Sequence, residues 1–586
     1  MEMSVNMTPE DFLEKETEFL EILSSEENLK NIPLINHVNI QNLKDNSLVR
    51  FRGMVQDMLD PEIYLEKYAV GSGDSVRLQN GRYRDAFVLN TNENVDMDSP
   101  QNSHGERRSV FVVTIPGLND WASEAERESC PIKDISTERV AGSTTLKRPL
   151  EDEEPMESEK KSPSEAIGSL SNGSSVKESP SLLSREYLLN SPIADRPSKA
   201  CIVKMYNDFD NLVLNSVVDV IGFLSVDAVL DGTHHDLNDF DDITEVQAAN
   251  PPPSLIPRIH AVLIKPISHL NPLLPQTTFD GITGFDDNTC VELFKDIQLL
   301  LTQCLLGDVV AAEYLMAHLI STVYVRSELE CLGQFSLNLS NIPAPVLPVY
   351  TKLLYDIIEM ILPASHYFPM TLDNLNLLQF SPKKDYASNK LTSGLLQLAP
   401  HTNLVLDETQ LQTGKLEASG VKAVSSIAYL INNQRVKCDF QFFDVEVNVN
   451  VPVLTLSEGK SMLPTNCHVP LMPQQENIDL IKETFEAAKF FLLPKLDSIR
   501  RYLTILRIVK FSMNPDELTM IENDFVEMRR EHCATPEDLH SLIVLSRMLA
   551  LCRGKTSLTG DLWQHAKSLE TERRKRIASI PTRNVL

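Results

Sequence analysis

Two acidic side chains that follow an apolar run near the middle of the sequence are the first candidates for chemistry. Asp407 and Glu408 come directly after the run NLVL. In ATP-hydrolysing enzymes, a strand with this ending presents one carboxylate to Mg²⁺ and another to the attacking water. The simpler alternative is that both carboxylates cap the strand or form packing hydrogen bonds. We favour this alternative because the acidic pair alone is a weak signal.

A phosphate-binding loop, which an ATPase also requires, places glycines and a lysine between a strand and a helix. Gly307 and Asp308 stand at a suitable distance upstream, but the residues VVAAEY that follow contain neither a second glycine nor a lysine. The run GKS at 459–461 has the right ending, but Leu454 stands where the first glycine is required. We interpret GKS as a polar turn, so no complete phosphate-binding loop is present.

The composition argues against several other classes of protein. The 586 residues include 82 acidic and 54 basic side chains, and the net charge of −28 repels nucleic acid and favours a basic partner. The nine cysteines form no close pair, which gives a zinc ribbon no support and indicates reduced, mostly buried thiols. The acidic N-terminus and the lack of an apolar run of about 18 residues predict a soluble, intracellular protein with about three or four domains.

Strand-like patterns predict two β-rich blocks separated by a linker. In the first block, Val49, Phe51 and Val55 alternate with polar residues, and Gly53 marks a bulge or a tight bend. Residues 121–197, which separate the blocks, are rich in Ser, Glu, Lys and Pro and cannot bury enough apolar surface to form a domain. The two blocks are therefore predicted to be halves of one small barrel.

Beyond about residue 285, apolar helices alternate with short strands, a pattern typical of an α/β layer fold. The strongest strand signal is the run DVEVNVNVPVLTLSEG, in which valines alternate with polar residues. The C-terminal part is predicted to be helical, and in IRRYLTILR the apolar side chains share one face, with Arg500 and Arg507 on the other. A short amphipathic helix is predicted at 8–25, near the N-terminus.

Several runs together resemble the mini-chromosome maintenance (MCM) replicative helicases: LLGDVVAAEYLMA, SGLLQLAPHTNLVLDET, QRVKCDFQF, VPVLTLSEG and EDLHSLIVLSRMLAL. In this resemblance Glu313 stands at the place of the phosphate-binding lysine, Tyr314 at that of the next serine, and Val544 at that of an arginine in the helical lid. A carboxylate at 313 would repel phosphates. The positions that match the ATPase site, all expected to be inactive, are Gly307, Asp308, Glu313, Tyr314, Asp407, Glu408, Ser457 and Val544.

The arrangement is more similar still to the MCM complex-binding protein family, whose members associate with MCM subunits. The runs that carry this resemblance are RFRGMVQDMLDPEIY, ACIVKMYNDF, VVDVIGFLSVD, PRIHAVLIKPISHLNPLLP, LLGDVVAAEYLMAHLISTVY, KDYASNKLTSGLLQL and NDFVEMR. They span nearly the whole chain outside the linker and the extreme ends. The resemblance is therefore specific, because several long, ordered segments agree.

The resemblance implies a fold of the α/β plus β class, with a split OB-like barrel, a degenerate AAA+ α/β core related to MCM subunits, and a C-terminal helical lid. The predicted units are an N-terminal helix (1–32), the first half of the barrel (33–120), a disordered acidic insertion (121–197), the second half of the barrel (198–280), the core (281–480) and the lid with a basic C-terminus (481–586). No enzymatic activity, cofactor or metal is implied.

The resemblance also implies a nuclear protein that binds MCM helicase subunits as a chaperone or disassembly factor. Such a protein would regulate MCM assembly and unloading from chromatin in DNA replication and support sister-chromatid cohesion. Its chromatin association would be indirect, without a membrane or a small-molecule substrate. The subunit bound, and the choice between chaperoning and unloading, stay open. The alternatives are an active ATPase of the AAA+ class and an OB-fold DNA-binding replication factor.

Two basic segments are candidate nuclear import signals. One is the run TERRKR at 571–576, and the other combines Lys147-Arg148 with Lys160-Lys161 in the predicted linker. Solvated surface charge is an equally weighted interpretation of both. Ser191 precedes a proline in the predicted linker, where proline-directed kinases would reach it.

Overall fold

The computed structural model describes residues 7–72, 75–90, 93–129, 182–207, 212–226, 248, 250–276, 285–327, 331–532 and 535–579. Helices and several sheets occur together in these ranges, in agreement with the predicted α/β plus β class. Within them, no single helix has the length and apolar character for a membrane span, although the pair Asn288–Cys304 and Val309–Leu319, bent by 118°, meets that criterion jointly.

Three short helices open the described chain: Pro9–Glu14 (α1), Glu16–Ser24 (α2) and Glu26–Leu29 (α3). The single helix predicted over 8–25 is interrupted at Lys15, whose φ of −135° and ψ of 38° lie outside the helical region. Thr8 caps α1 through its side chain. Phe12 of α1 is buried and lies 5.9 Å, between ring centroids, from Phe223 of the adjoining sheet. The helices therefore pack directly on the β-rich part.

Eight strands build the N-terminal sheet: Leu48–Met58 (β1), Glu62–Ser72 (β2), Ser75–Asn80 (β3), Asn94–Asp96 (β4), Ser103–Val113 (β5), Ala200–Met205 (β6), Val217–Ser225 (β7) and Arg258–Pro266 (β8). Five of them close into a ring, because β1 pairs with β5 and β7, β5 with β6, and β8 with both β6 and β7. In the ring, only the β6–β8 pair is parallel. Outside it, β5 also pairs with β2, which carries β3 and β4.

Glycines allow the ring strands to approach one another closely. A Cβ atom at Gly222 would lie 2.3 Å from the carbonyl oxygen of His260, and one at Gly53 would lie 2.3 Å from that of Val113. The bulge predicted at Gly53 lies further along β1, where the register with β5 shifts between Val55 and Asp57. Gly53 is required for the close approach of two strands rather than for a bulge.

Both ends of the predicted linker are structured, in contrast to the prediction, and residues 130–181 lie outside the described ranges. The ends form the helices Asp120–Ser129 (α4) and Arg185–Leu189 (α5). Trp121 donates from its indole nitrogen to the carbonyl oxygen of Leu362 at 2.9 Å, and the guanidinium of Arg500 lies 3.8 Å from the centre of the Trp121 ring. These ends therefore bind the β-rich part to the rest of the chain.

The second half of the chain alternates helices and strands. Its first helices are Asp287–Cys304 (α6), Val309–Leu319 (α7), Leu347–Ile361 (α8), Leu372–Leu377 (α9) and Ala418–Asn433 (α10). Its strands are Val325–Arg326 (β9), Cys331–Leu332 (β10), Leu337–Ser340 (β11), Ser365–Pro369 (β12), Lys383–Asp385 (β13), Lys390–Thr392 (β14), Asn403–Asp407 (β15), Arg435–Asp439 (β16), Asp444–Asn448 (β17), Val453–Leu456 (β18) and Cys467–Pro470 (β19).

Five of these strands form an all-parallel sheet in the order β12–β15–β18–β11–β19. Leu339 and Leu454 share an apolar core with α7 and α8, whereas Leu404 and Val453 share a second core with α10. Helices therefore cover both faces, as a parallel sheet requires. A separate sheet pairs β14–β13–β16–β17, and β9 pairs with β10.

The run with the strongest strand signal does not form one strand. Its first part is β17 of the four-stranded sheet, and its second part is β18 of the parallel sheet. Between them, the side chain of Gln434 accepts a hydrogen bond from the Val451 nitrogen at 2.8 Å and donates to the Val451 carbonyl at 3.1 Å. A side chain thus takes the place of a neighbouring strand, which the alternation of valines does not reveal.

A buried polar junction joins the closed ring to the four-stranded sheet. Asn190, just after α5, donates to the side-chain oxygen of Gln56 at 2.8 Å and to the carbonyl oxygen of Leu391 at 2.9 Å. The Leu391 nitrogen donates to Asp57 on β1 at 2.8 Å. Burial raises the pKa of the Asp57 carboxyl. Ser191 follows Asn190 directly and lies in this ordered junction, not in an unstructured linker.

Six helices complete the described chain: Gln475–Asp479 (α11), Ile481–Leu492 (α12), Leu496–Ile508 (α13), Pro515–His532 (α14), Pro536–Cys552 (α15) and Gly560–Ser579 (α16). The predicted apolar face of α13 is buried, as at Tyr502 and Leu506. Arg507, predicted on the face opposite the apolar one, is also buried. It donates to the carbonyl oxygens of His401, at 2.9 Å, and of Leu319. Burial lowers its pKa to about 10.

We expect Gly222→Ala to lower the free energy of unfolding by about 1–3 kcal/mol, because the added methyl group forces β7 and β8 apart. Urea denaturation followed by circular dichroism measures this change. Gly459→Ala is the matched control, since no atom of the described residues lies within 4 Å of a Cβ at that position. Equal denaturation midpoints for the two variants would contradict the assignment of a close strand contact.

Candidate functional site

The candidate site lies at the carboxyl edge of the parallel sheet. β11 and β18 are neighbours, yet the chain leaves them in opposite directions, from β11 toward the edge strand β12 and from β18 toward the other edge strand, β19. Open parallel sheets bind ligands outside the carboxyl ends of their strands at such a switch point. The loops that follow β11, β15 and β18 are therefore the elements that would hold a ligand.

The loop between β11 and α8 is the place for a phosphate-binding loop, but its chemistry is unsuitable. Residues 341–346 read NIPAPV, and the two prolines lack the backbone N–H groups that bind phosphate. The Asn341 nitrogen already donates to the carbonyl oxygen of Glu458 at 3.1 Å, and its side chain donates to that of Leu471 at 2.8 Å. The loop has neither a glycine nor a lysine to form an anion site.

The carboxylates of Asp407 and Glu408 stand at the end of β15, where the sequence predicts them, and both are engaged by neighbouring donors. Asp407 is fully buried and accepts hydrogen bonds from the Tyr367 hydroxyl and from the hydroxyl and nitrogen of Thr409, the last at 3.1 Å. Glu408 accepts from the hydroxyl of Ser461 and from the Met462 nitrogen at 3.0 Å.

Burial raises the pKa of the Glu408 carboxyl. The hydrogen bonds to Asp407 cap a 3-10 turn at Glu408–Gln410, and those to Glu408 tie β15 to the loop after β18. Both carboxylates thus fix the loops at the carboxyl edge of the sheet.

Ser457 follows β18 and also bonds within the sheet edge. Its hydroxyl accepts a hydrogen bond from the side-chain amide of Asn338 on β11 at 2.7 Å and donates to the carbonyl oxygen of Gly459 at 2.6 Å. Ser457 and Asn338 are both buried. This side-chain hydrogen bond therefore joins the carboxyl ends of β11 and β18 at the point where a nucleotide phosphate would otherwise approach.

Gly307 and Asp308 connect two helices, α6 and α7, so they are not a strand-to-helix loop. Gly307 has a φ of +88°, a conformation that favours glycine. Asp308 caps α7 by accepting from the Ala311 nitrogen at 3.1 Å and also accepts from the Met472 nitrogen at 2.9 Å. Its second oxygen forms an ion pair with Arg576 of α16 at 2.6 Å. Asp308 therefore anchors the C-terminal helix.

Glu313 and Tyr314 on α7 also bind the C-terminal helices. The Glu313 carboxylate accepts from His565 at 2.7 Å and from Arg553 at 3.0 Å. Burial tends to raise the pKa of this carboxyl, but the hydrogen bond from His565 and the charge of Arg553 outweigh it and lower the pKa. The Tyr314 hydroxyl donates to Glu570 of α16 at 3.3 Å. The residues expected to disable a phosphate site form a polar contact between helices instead.

Val544 lies buried on α15 beside a cleft of about 510 Å³. The cleft is also lined by Phe335, which precedes β11, and by Asn466, which precedes β19. The cleft therefore opens at the amino end of these strands.

The eight predicted positions fall into three places: the carboxyl edge of the sheet, the contact between α7 and α16, and the cleft beside α15.

Sequence reasoning missed the loop at 341–346. A signal for it existed, since the residues before it read as a strand and those after it as a helix. The glycine and lysine that identify such a loop are, however, replaced by prolines and apolar residues.

Among the described residues, no group of three or more His, Cys, Asp or Glu side chains is placed to hold a metal ion. Among the cysteines that the structure describes, Cys331 is the one that is not buried.

The sequence of this chain is similar to known proteins over both the β-rich part and the part that contains the parallel sheet. The profile of the mini-chromosome maintenance replisome factor family matches residues 19–577. The mini-chromosome maintenance complex-binding protein of Drosophila melanogaster is 45% identical over 602 aligned residues, which cover 99% of this chain and 98% of that protein. The proteins of the same name from Bos taurus and Homo sapiens are 37% and 36% identical, over 95% of this chain and 93% of each relative.

We expect Glu313→Gln to lower the free energy of unfolding at neutral pH by about 1–3 kcal/mol, because Arg553 loses a buried anionic partner. The folded-state pKa of Glu313 is lowered, so its carboxylate stabilises the fold above the unfolded value of about 4.5, and this stabilisation is lost as the pH falls below that value. The difference between wild type and variant should therefore shrink in acid.

Urea denaturation at a series of pH values measures this difference. Glu292→Gln, at an exposed position on α6, is the matched control and should leave the free energy of unfolding nearly unchanged. A Glu313→Gln penalty that is no larger than the control, or that grows as the pH falls below about 4.5, would contradict the role of Glu313 as a buried ionic partner.

Proposed function

The chain belongs to the mini-chromosome maintenance replisome factor family, and from this premise we propose that it binds subunits of the MCM helicase complex. The observation that carries the proposal is the length of the similarity: relatives named mini-chromosome maintenance complex-binding proteins align with this chain over 93–98% of their own length. The closed ring, the parallel sheet and the C-terminal helices, except for the last two residues of α16, lie within the matched residues 19–577.

We propose that the closed ring is an OB-like barrel and that the parallel sheet with α6–α10 is a degenerate AAA+-like core, followed by a helical lid. Five strands paired in a closed ring, with one parallel pair, support the first assignment. A parallel sheet with helices on both faces and a switch point between β11 and β18 supports the second.

We propose that the chain acts without ATP hydrolysis. An active ATPase, the alternative of the AAA+ class, requires backbone donors and a cation for the phosphates. Prolines in the loop 341–346 remove such donors, and Asp407 and Glu408 are occupied by hydrogen bonds to neighbouring residues. An assembly of helicase subunits in which this chain replaced one subunit would lack a working ATP site at that position.

The mechanism that we propose is competition for the edge of an MCM subunit. A body built like a subunit core can occupy the face that a neighbouring subunit would use, and its binding holds subunits apart or separates assembled ones. Through this competition the protein would act as a chaperone or disassembly factor in the nucleus, regulate unloading from chromatin, and support sister-chromatid cohesion. Its association with chromatin would then be indirect, through MCM subunits.

Direct DNA binding by the ring is the other alternative. The net charge of −28 opposes it at long range. Single-stranded DNA that bound only at low salt, with a steep loss of affinity as salt increased, would be the sign of such an activity. We therefore give it a lower rank than subunit binding.

Purified MCM subunits mixed one at a time with the full chain should yield a stoichiometric complex with at least one of them on gel filtration. An unrelated protein of similar size and net charge is the control for non-specific attraction. Excess chain added to an assembled MCM complex should lower the amount of that complex. Failure of every subunit to co-elute would refute binding, whereas binding without loss of assembled complex would refute only the competition mechanism.

Titration calorimetry with Mg-ATP should give no saturable binding, because the carboxyl edge offers no phosphate site. Asp407→Asn should leave this result unchanged while lowering stability, since the variant weakens the cap at the end of β15. Tight Mg-ATP binding that disappeared in Asp407→Asn would instead establish the active ATPase.

A further inference from the structure

The two halves of α16 are attached to the body in different ways. In the first half, Leu562, Trp563, Ala566 and Leu569 are buried. From 570 to 579, none of the side chains, all of which the structure describes, is buried. Polar contacts therefore hold this second half, which carries the basic run RRKR at 573–576.

Arginines of this half cover the edge strand β19. The Arg573 guanidinium donates to the carbonyl oxygen of His468 at 3.1 Å, and that of Arg576 reaches the carbonyl oxygen of Pro470 at 3.5 Å. His468 and Pro470 are two residues apart on β19. The two arginines therefore bind successive carbonyl groups on the side of β19 where no strand of the described residues pairs. The helix thereby protects an edge that would otherwise be open to pairing.

Carboxylates of three elements hold the same run. Arg576 pairs with Asp308, the N-cap of α7, at 2.6 Å, and Arg574 pairs with Asp538 of α15 at 2.7 Å. Glu570, one turn earlier on α16, binds Arg573 and Arg574 at 2.6 and 2.7 Å. The Arg574 side chain is 52% exposed, so salt screens its ion pair strongly.

We propose that residues 570–579 are a masked binding segment for an acidic peptide. The segment detaches as a unit from α7, α15 and β19, while the buried side chains of the first half keep the helix in place. The freed run 573–576 then presents four consecutive cations to clustered carboxylates of a partner. The occupant is acidic because the docked run already binds carboxylates, which an acidic segment would replace.

Docking and peptide binding compete, so the apparent affinity for a peptide is reduced by the fraction of molecules in which the run is docked. Any change that weakens docking without removing the cations must therefore strengthen peptide binding. Asp308→Asn is such a change, because asparagine retains the capacity to cap α7 while the charge that binds Arg576 is lost. Asp373→Asn removes an equal charge from the exposed surface of α9 and is the matched control.

Amide hydrogen exchange on the full chain tests the detachment. At about 500 mM NaCl, exchange over 570–579 should be faster than at about 50 mM, whereas exchange over 561–569 should not change. Asp308→Asn should give the same local increase at low salt. Exchange that changes equally in both halves of α16, or in neither, would overturn the proposal. The salt series uses the wild type, so it decides the question even if Asp308→Asn folds poorly.

Fluorescence anisotropy with a labelled oligoglutamate of about ten residues tests the binding step at low salt. Asp308→Asn should bind this probe at least about threefold more tightly than Asp373→Asn does. A double variant, Arg573→Gln with Arg576→Gln, should also exchange faster over 570–579 but should lose probe binding. Equal affinities for Asp308→Asn and Asp373→Asn, or full probe binding by the double variant, would overturn the proposal.

Discussion

A carboxylate buried on α7 must find positive or hydrogen-bonding partners, and this requirement fixes the last two helices of the chain. Glu313 is 6% exposed and binds Arg553, at the end of α15, and His565 on α16. A buried charge without such partners would strongly destabilise the fold. Asp308 and Tyr314 extend the same contact along α7. One face of a single helix thus joins the parallel sheet to the C-terminal helices.

The carboxyl edge of the parallel sheet has the architecture of a ligand site, but its polar groups bind one another. The acidic pair after β15 caps its own turn and the loop after β18, and Ser457 bonds to Asn338 across the two central strands. These hydrogen bonds stabilise the edge without a bound ligand.

Periodicity and local turn chemistry were enough to predict the elements that depend on nearby residues. The apolar face of α13 follows its helical spacing. Prediction failed where long-range contacts decide the structure. The buried position of Arg507 depends on two distant carbonyl groups, and the break between β17 and β18 depends on the side chain of Gln434.

Prediction of the candidate site from the sequence was limited in the same way, by contacts between distant residues. The positions of Asp407 and Glu408 at a strand end could be read from a local pattern. The partners of Glu313 lie 240 and 252 residues away along the chain, so no local pattern reveals them. The loop at 341–346 escaped notice because it lacks every residue by which such loops are recognised. What sequence reasoning lacked, in both cases, was the pairing of segments far apart in the chain.

The ring of β1 and β5–β8 also sets an order of events during biosynthesis. β5 ends at Val113 and its neighbour β6 begins only at Ala200, and β1 must wait for β7, which begins at Val217. While the ribosome is still producing the intervening chain, β1 and β5 have open hydrogen-bonding edges and exposed valines. Pairing over such distances is slow and leaves the nascent polypeptide prone to aggregation. The first β-rich block therefore keeps these edges and valines exposed until the last strand of the ring emerges.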